Sequence, residues 1–153
     1  YLLRAEVLWD MRQAKDAMDD VEKVLSLTPE DEDALLLKGK IQAALGEVNE
    51  AYASFDQVLE VNPFNEKAYL LKGEMLTEQK AFDKAVELYT EAIELMPQNA
   101  MLYQERGRIR LLKGDKDGSV DDMKKAIELN PENEKQITGN YDNFKQNSAP
   151  GIY

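Results

Sequence analysis

The 153-residue chain contains no cysteine and no histidine. Without cysteine it has no disulfide, no thiolate nucleophile and no cysteine-ligated zinc. Without histidine it lacks the commonest general base and the commonest protein ligand for transition metals. We therefore expect a protein that is not an enzyme and that has no catalytic residues, no metal site and no cofactor.

Basic residues and long apolar runs are also scarce. The chain has 19 Lys and Arg against 30 Asp and Glu, which gives a net charge of −11. Such a surface repels phosphate backbones, so we expect no binding to nucleic acid. The longest apolar runs, such as 34–37, are four residues long, whereas a membrane helix needs about 20. We accordingly expect no insertion into a membrane.

What the chain does have is an internal repeat. Four of its five prolines are spaced by 34 residues, and other columns keep the same step. The prolines are Pro29, Pro63, Pro97 and Pro131. Two columns of small residues accompany them, namely Ala17, Ala51, Ala85 and Ser119, and Ala5, Gly39, Gly73 and Gly107. This agreement over many columns indicates four copies of one structural unit.

Each copy has the pattern of two helices joined by a short turn. Apolar residues in the segment 85–93 fall at positions i, i+3, i+4, i+7 and i+8, which is one stripe of an α-helix, and 68–76 shows a similar stripe. Neither helix can bury its stripe alone, so neighbouring copies must stack. The small columns predict close approach of helix backbones, for example at Gly73.

A 34-residue helix-turn-helix with these columns resembles the tetratricopeptide repeat (TPR) family. The resemblance implies an all-α, right-handed α-solenoid of four TPR units with a short C-terminal capping helix. We expect the units to span 1–31 (N-terminally truncated), 32–65, 66–99 and 100–133, followed by a cap at 134–145 and an exposed tail at 146–153. No cap precedes Tyr1, so we expect either further sequence upstream or a first repeat that is partly open.

Two columns depart from the family pattern. The usual tryptophan column reads Tyr1, Leu35, Tyr69 and Tyr103, which is a mild change. A column that often holds leucine instead holds a basic residue in each repeat: Arg4, Lys38, Lys72 and Arg106. We expect these charged groups to reach acids on the preceding helix, while their stems pack against apolar neighbours.

In the TPR family the first helices line a concave groove that binds peptides or helices of partner proteins. Carried over column by column, the resemblance predicts that the groove residues are Leu2, Glu6, Trp9, Asp33, Leu36, Lys40, Lys67, Leu70, Glu74, Thr77, Met101, Gln104, Arg108 and Leu111. The leucines in these columns make the groove more apolar than hydration favours, which is typical of a contact surface.

Several alternatives to partner binding remain open at this point. The leucines are core residues if the groove is narrow, or a chain tail covers them. The module self-associates, for example as a homodimer, if a second copy occupies the groove or the open N-terminal end. One familiar specificity is not expected, since the Lys, Asn and Arg clamp of TPR proteins that bind acidic chaperone tails has almost no matching residue here.

Overall fold

The computed structural model describes residues 13–135 and 138–139. Within these residues the regular structure is entirely helical, which confirms the all-α class. Two sets of α-helices start at intervals of 34 residues. They are α1 (Ala14–Leu27), α2 (Glu32–Ala44), α3 (Val48–Val61), α4 (Glu66–Glu78), α5 (Phe82–Leu95), α6 (Ala100–Lys113) and α7 (Lys116–Leu129), followed by a 3-10 helix (Pro131–Asn133).

Parts of the predicted architecture lie outside the described residues. These parts are the first helix of the first repeat, the tail at 146–153 and most of the predicted cap at 134–145. The described residues of the cap, 134–135 and 138–139, are helical. Ile137, Tyr141 and Phe144, whose spacing predicts that the cap is helical, are outside the described part of the chain.

The starts of α2, α4 and α6 are fixed by one side-chain cap in each repeat. The carboxylate of Asp31 accepts a hydrogen bond from the Ala34 amide at 2.9 Å. At the start of α4 the Asn65 side chain accepts a hydrogen bond from the Ala68 amide at 3.1 Å, and at the start of α6 the Asn99 side chain accepts one from the Met101 amide at 3.0 Å. Such caps satisfy amide groups that have no partner inside the helix. The 34-residue period therefore sets the helix boundaries as well as the apolar pattern.

The chain forms two compact units, residues 1–75 and 76–153, with the boundary inside α4. In the first unit α2 packs against α1 and α3. One apolar cluster joins α1 to one side of α2 and includes Val21, Leu37 and Ile41. A second cluster joins the other side of α2 to α3 and α4, and it includes Phe55 and Met75. Helix α2 is thus apolar on both sides.

In the second unit α6 packs against both α5 and α7. The largest fully buried apolar side chains of this unit are Tyr89 of α5, and Leu102 and Ile109 of α6. Met123 and Ala126 of α7 form a further apolar cluster, against which Tyr103 packs. The inner helix of this unit is held from two sides, as α2 is in the first.

The small column of the first helices has the role that the repeat pattern predicts. A Cβ atom at Gly39 would overlap the ring of Phe55, and at Gly107 it would lie 3.1 Å from the Cβ of Asp122. Gly73, in the same column, is buried as well. The absence of a side chain at Gly39 and Gly107 is therefore what lets the second helix of each repeat lie close against the first.

Candidate partner-binding face

Helices α2 and α4 contribute to one apolar cluster, which includes Leu36 of α2 and Ala68 and Met75 of α4. The predicted site residues that remain accessible on these two helices form a mixed surface, which we call the α2–α4 face. Its members are Asp33, Lys40, Lys67, Leu70 and Glu74, of which Leu70 is half-buried and the others are exposed. The face carries two cations and two anions around one apolar side chain.

Two of the predicted contact residues are core residues instead. Leu36 is 5 % exposed and Leu111 is 7 % exposed, so neither offers a partner a substantial surface. At these two positions the burial agrees with the alternative in which the leucines are core residues. The reason is that α2 and α6 are inner helices, each of which packs against two or more neighbours and therefore buries more than one stripe.

In the second unit, α6 contributes three of the remaining described site residues and α4 contributes one. Met101 is 40 % exposed, and Gln104 and Arg108, on the same face, are half-buried. The Arg108 Nε donates to the Glu105 carboxylate at 2.9 Å, one turn away. Thr77, near the end of α4, is half-buried. The exposed side of α6 offers a partner one exposed apolar group, Met101, and the hydrogen-bonding groups of Gln104 and Arg108.

Leu2, Glu6 and Trp9 lie outside the described residues, so their part of the predicted site stays a prediction. Asp33, Lys40 and Lys67 lie on two helices of one unit that share an apolar cluster. It places Met101, Gln104 and Arg108 on one helix of the other unit.

The basic column is largely engaged in ion pairs within the protein. Lys72 of α4 reaches Asp56 of α3, the preceding helix, with 2.7 Å between Nζ and Oδ1, as predicted. Arg106 of α6 instead forms a two-pronged pair with Asp122 of the following helix, at 3.0 and 2.7 Å. Its third contact is to the Thr90 hydroxyl on the preceding helix, at 3.2 Å. These residues hold helices together and are not a free basic stripe.

One carboxylate at the edge of the α2–α4 face is electrostatically distinct. Glu32 Oε1 accepts hydrogen bonds from the side-chain amides of Asn62 and Asn65, at 2.9 and 2.7 Å. Because both donors favour the charged carboxylate, with Asn65 contributing most, the pKa of Glu32 lies below its usual value of 4.5. Glu32 therefore ties the start of α2 to the turn between α3 and α4.

Two other features are absent from the described residues. No group of three or more acidic side chains there is arranged to hold a metal ion. Among the same residues, no helix has the length and apolar content needed to cross a lipid bilayer.

The repeat pattern alone did not single out a polar pair in the second repeat. Ser54 Oγ donates to Gln42 Oε1 at 2.6 Å, and both side chains are buried. The signal available in the sequence was a break in two columns. Gln42 stands where the first and third repeats have Leu8 and Leu76, and Ser54 stands where the third has Leu88.

Comparison with known families and structures agrees with this architecture. A tetratricopeptide repeat family model matches residues 2–56 and 44–100, and a second one matches residues 101–133. Together the matches cover most of the chain. The protein therefore belongs to the tetratricopeptide repeat family, and its fold is the all-α solenoid of that family.

Solved structures with the same fold include several named MamA. One of them, described as the crystal structure of MamA, is 25 % identical with a TM-score of 0.71, over 88 % of this chain and 78 % of that one. MamA 41-end from Desulfovibrio magneticus RS-1 is 22 % identical with a TM-score of 0.63, over 95 % and 85 %. The thermophilic TPR protein TTC0263 from Thermus thermophilus is 22 % identical with a TM-score of 0.63, over 85 % and 73 %. No curated protein matches the sequence.

Family membership defines the function at a coarse level. TPR proteins are interaction scaffolds that bind other proteins, and the fold is in general a non-catalytic one. The chain is accordingly a protein-interaction scaffold.

Proposed function

We propose that the protein binds a peptide or helix of a partner protein through the first helices of its repeats. In the described part of the chain, the contact residues are the α2–α4 face and the exposed side of α6. The observation that carries the proposal is the pair of exposed lysines, Lys40 and Lys67, on two helices locked together by a shared core. Helices held by a shared core need no reordering of their backbones on binding, which lowers the entropic cost.

The chemistry of the face indicates the kind of segment it recognises. Leu70 offers apolar area, which contributes about 25 cal/mol per Å² on burial. Lys40 and Lys67 favour acidic side chains that flank an apolar residue of the partner. Because Leu36 is in the core, the apolar part of the contact is small, and charge complementarity has a larger share of the specificity. Affinity in the micromolar range, about −8 kcal/mol, suits such a segment.

Self-association is the second candidate function. The α2–α4 face carries charges of both signs, so two copies of it are complementary when they meet in antiparallel orientation. Met101, 40 % exposed on α6, adds apolar surface. Sedimentation equilibrium over a range of concentrations tests this candidate. A dimer that Lys40→Glu/Lys67→Glu dissociates supports it, whereas a monomer at every concentration contradicts it.

The partner-binding proposal is tested by selecting peptides from a displayed library on the wild-type protein. The affinity of a selected peptide is then measured by calorimetry for wild type, Leu70→Ala and Leu59→Ala. Leu59 is a matched control because it is also a half-buried leucine, on α3. We expect Leu70→Ala to bind at least fivefold more weakly, with its helical circular dichroism retained, and Leu59→Ala to bind within twofold of wild type. Equal affinity for all three proteins would contradict the proposal.

A further inference from the structure

Four charged side chains lie on the α2–α4 face, two on each helix. Asp33 and Lys40 belong to α2, and Lys67 and Glu74 belong to α4. All four are exposed. Within the described part of the chain, none of them forms an ion pair or a side-chain hydrogen bond. The face therefore presents four charges that the described residues leave without an opposite charge in contact.

The signs of these charges alternate around the face. On each helix the two charged residues are seven positions apart, which is about two turns, so they lie on the same side of the helix and about 10 Å apart. The order of the signs differs between the helices. On α2 the acidic residue comes first, whereas on α4 the basic residue comes first.

The two helices are held together at their starts. Glu32, in the first turn of α2, accepts a hydrogen bond from the side chain of Asn65, which caps α4, at 2.7 Å. Leu36 of α2 and Met75 of α4 belong to one apolar cluster, and consecutive first helices of a repeat array run in the same direction. Opposite signs therefore lie across from each other at the start of the two helices and again two turns later.

Helix α6 shows how the protein neutralises a charge in the same column when it supplies the partner itself. The column of Lys40 holds Arg108 on α6, and Arg108 pairs with Glu105 at 2.9 Å. The column of Glu105 holds Leu37 on α2 and Leu71 on α4. The charges of the α2–α4 face therefore have no such partner on their own helices.

We infer that the segment bound at the α2–α4 face is an amphipathic α-helix of a partner protein whose flanking charges alternate in the same way. This inference rests on the proposed function. Each flank of the partner helix carries one acidic and one basic side chain, seven residues apart, in opposite order on the two flanks. Every charge of the face then meets its opposite, and an apolar stripe between the flanks covers Leu70.

The spacing of the charges fits a partner helix better than an extended segment. Side chains seven residues apart on a helix are about 10 Å apart, as they are on α2 and α4. Side chains on one side of an extended segment are about 7 or 13 Å apart, since each residue advances the chain by about 3.3 Å. An extended segment therefore does not place its charges over both ends of the face.

The probes for the test are two fluorescein-labelled peptides of about 15 residues, each held helical by a hydrocarbon cross-link on its outer side. Both have leucine at the contact positions, two lysines and two glutamates on the flanks, and alanine elsewhere. In the second peptide every lysine is exchanged for glutamate and every glutamate for lysine, so only the order of the signs differs. The alternating pattern is unchanged when a helix is turned end to end, so one peptide matches the face in either chain direction. Binding is followed by anisotropy at about 50 mM salt.

The main variant, Asp33→Lys/Lys40→Glu/Lys67→Glu/Glu74→Lys, reverses all four signs and leaves the net charge at −11. We expect wild type to bind one peptide at least fivefold more tightly than the other, and this variant to prefer the other peptide by a similar factor. Lys40→Glu/Glu74→Lys leaves the helix starts unchanged and tests the proposal even if the fourfold variant does not fold. It should bind the two peptides within twofold of each other, because each peptide then matches one end of the face. Helical circular dichroism shows which variants are folded.

The matched control reverses four exposed charges on the second helices α1 and α5, as Lys15→Glu/Glu22→Lys/Lys84→Glu/Glu91→Lys, and should keep the preference of wild type. Wild-type protein that binds both peptides equally, or neither, would overturn the alternating pattern. The proposed function would still stand in that case if Leu70→Ala weakens the binding of a library-selected peptide. Protein that dimerises through the face and binds neither peptide would assign the face to a second copy, and would also overturn the inference.

The helical form of the partner segment is tested separately. In a third peptide, proline replaces a central alanine of the preferred sequence and the cross-link is omitted. Because proline breaks the interior of a helix, we expect this peptide to bind at least tenfold more weakly. Equal binding would overturn the assignment of a helix.

Discussion

At the scale of single residues, the ends of the first helices show how one repeat tolerates an unfavourable residue. One column of the repeat lies one or two residues after the ends of α2, α4 and α6. The backbone is left-handed at each of its three described positions. The φ angles are 81° at Gly46, 58° at Lys80 and 100° at Gly114. Only Lys80 has a side chain, which the left-handed conformation disfavours. The third repeat therefore carries strain that the second and fourth repeats avoid.

We predict that Lys80→Gly stabilises the protein by about 1 kcal/mol, because glycine adopts this conformation without a steric penalty. The free energy of unfolding from urea titration is the measurement. Gly46→Lys is the reverse control and should lose a similar amount, since no atom outside the local backbone lies within 4 Å of a Cβ built at Gly46. A destabilised Lys80→Gly would show that the lysine side chain stabilises the turn by more than its backbone strain.

A second prediction at this scale concerns Glu32 and pH. The lowered pKa of Glu32 means that its hydrogen bonds to Asn62 and Asn65 stabilise the fold when the carboxylate is charged. This contribution is complete above the pKa of the unfolded state, near 4.5, and is lost as the pH falls through the lower pKa of the folded state.

We therefore expect Glu32→Gln to be less stable than wild type at pH 7, and the difference to shrink as the pH falls towards 3. Thermal unfolding of both proteins across this range is the measurement. Glu22→Gln, which alters an exposed glutamate of α1, is the control, and its difference from wild type should be small at both ends of the range. A Glu32→Gln difference that does not depend on pH would contradict the assigned hydrogen bonds.

At the scale of helices, packing follows from the columns of small and large residues. The ring of Phe55 occupies the space that a side chain at Gly39 would need, and Phe55 is 1 % exposed. In the fourth repeat the corresponding helices approach at Gly107, where Ser119 Oγ donates to the Gly107 carbonyl at 2.7 Å. The same column thus sets the spacing of two helix pairs.

We predict that Gly39→Ala destabilises the protein by about 1–3 kcal/mol, since the new methyl group overlaps the Phe55 ring. The gain in helix propensity from alanine, about 1 kcal/mol, acts in the opposite direction. Gly39→Ala/Phe55→Leu should recover part of the loss, because the smaller leucine leaves room for the methyl group. If urea unfolding shows Gly39→Ala to be as stable as wild type, the close contact does not limit packing.

Helix positions and helix pairing could be predicted from the sequence, but the depth of individual side chains could not. The 34-residue period fixes where α2 and α3 lie, and the small column at Gly39 fixes where they meet. Leu36 was assigned to the groove because the family resemblance places its column there, and a column does not show how many neighbours cover a residue. Helix α2 is covered on both sides, so four consecutive residues, 34–37, are buried. The buried pair of Gln42 and Ser54 was missed for a related reason, since a column comparison shows a substitution and not the hydrogen bond that it forms.

At the scale of the whole molecule, charge is divided between the two kinds of helix. The second helices α1, α3, α5 and α7 carry net charges of −2, −3, −3 and −1 in their sequences, and the first helices α2, α4 and α6 carry 0, −1 and +3. Much of the −11 on the chain thus lies on the second helices. This division favours acidic segments at the first helices, as the proposed partner-binding face requires.

The central claim is that the exposed lysines of the first helices select the partner segment. The most direct test compares two double variants that change the net charge equally, from −11 to −15. Lys40→Glu/Lys67→Glu reverses the two positive charges of the α2–α4 face. Lys15→Glu/Lys84→Glu reverses two positive charges at exposed positions of the second helices α1 and α5. The affinity of a library-selected peptide is measured for both by calorimetry. The account predicts that the affinity falls at least tenfold for the α2–α4 variant and less than threefold for the other variant. Equal losses of affinity in two folded proteins would contradict it.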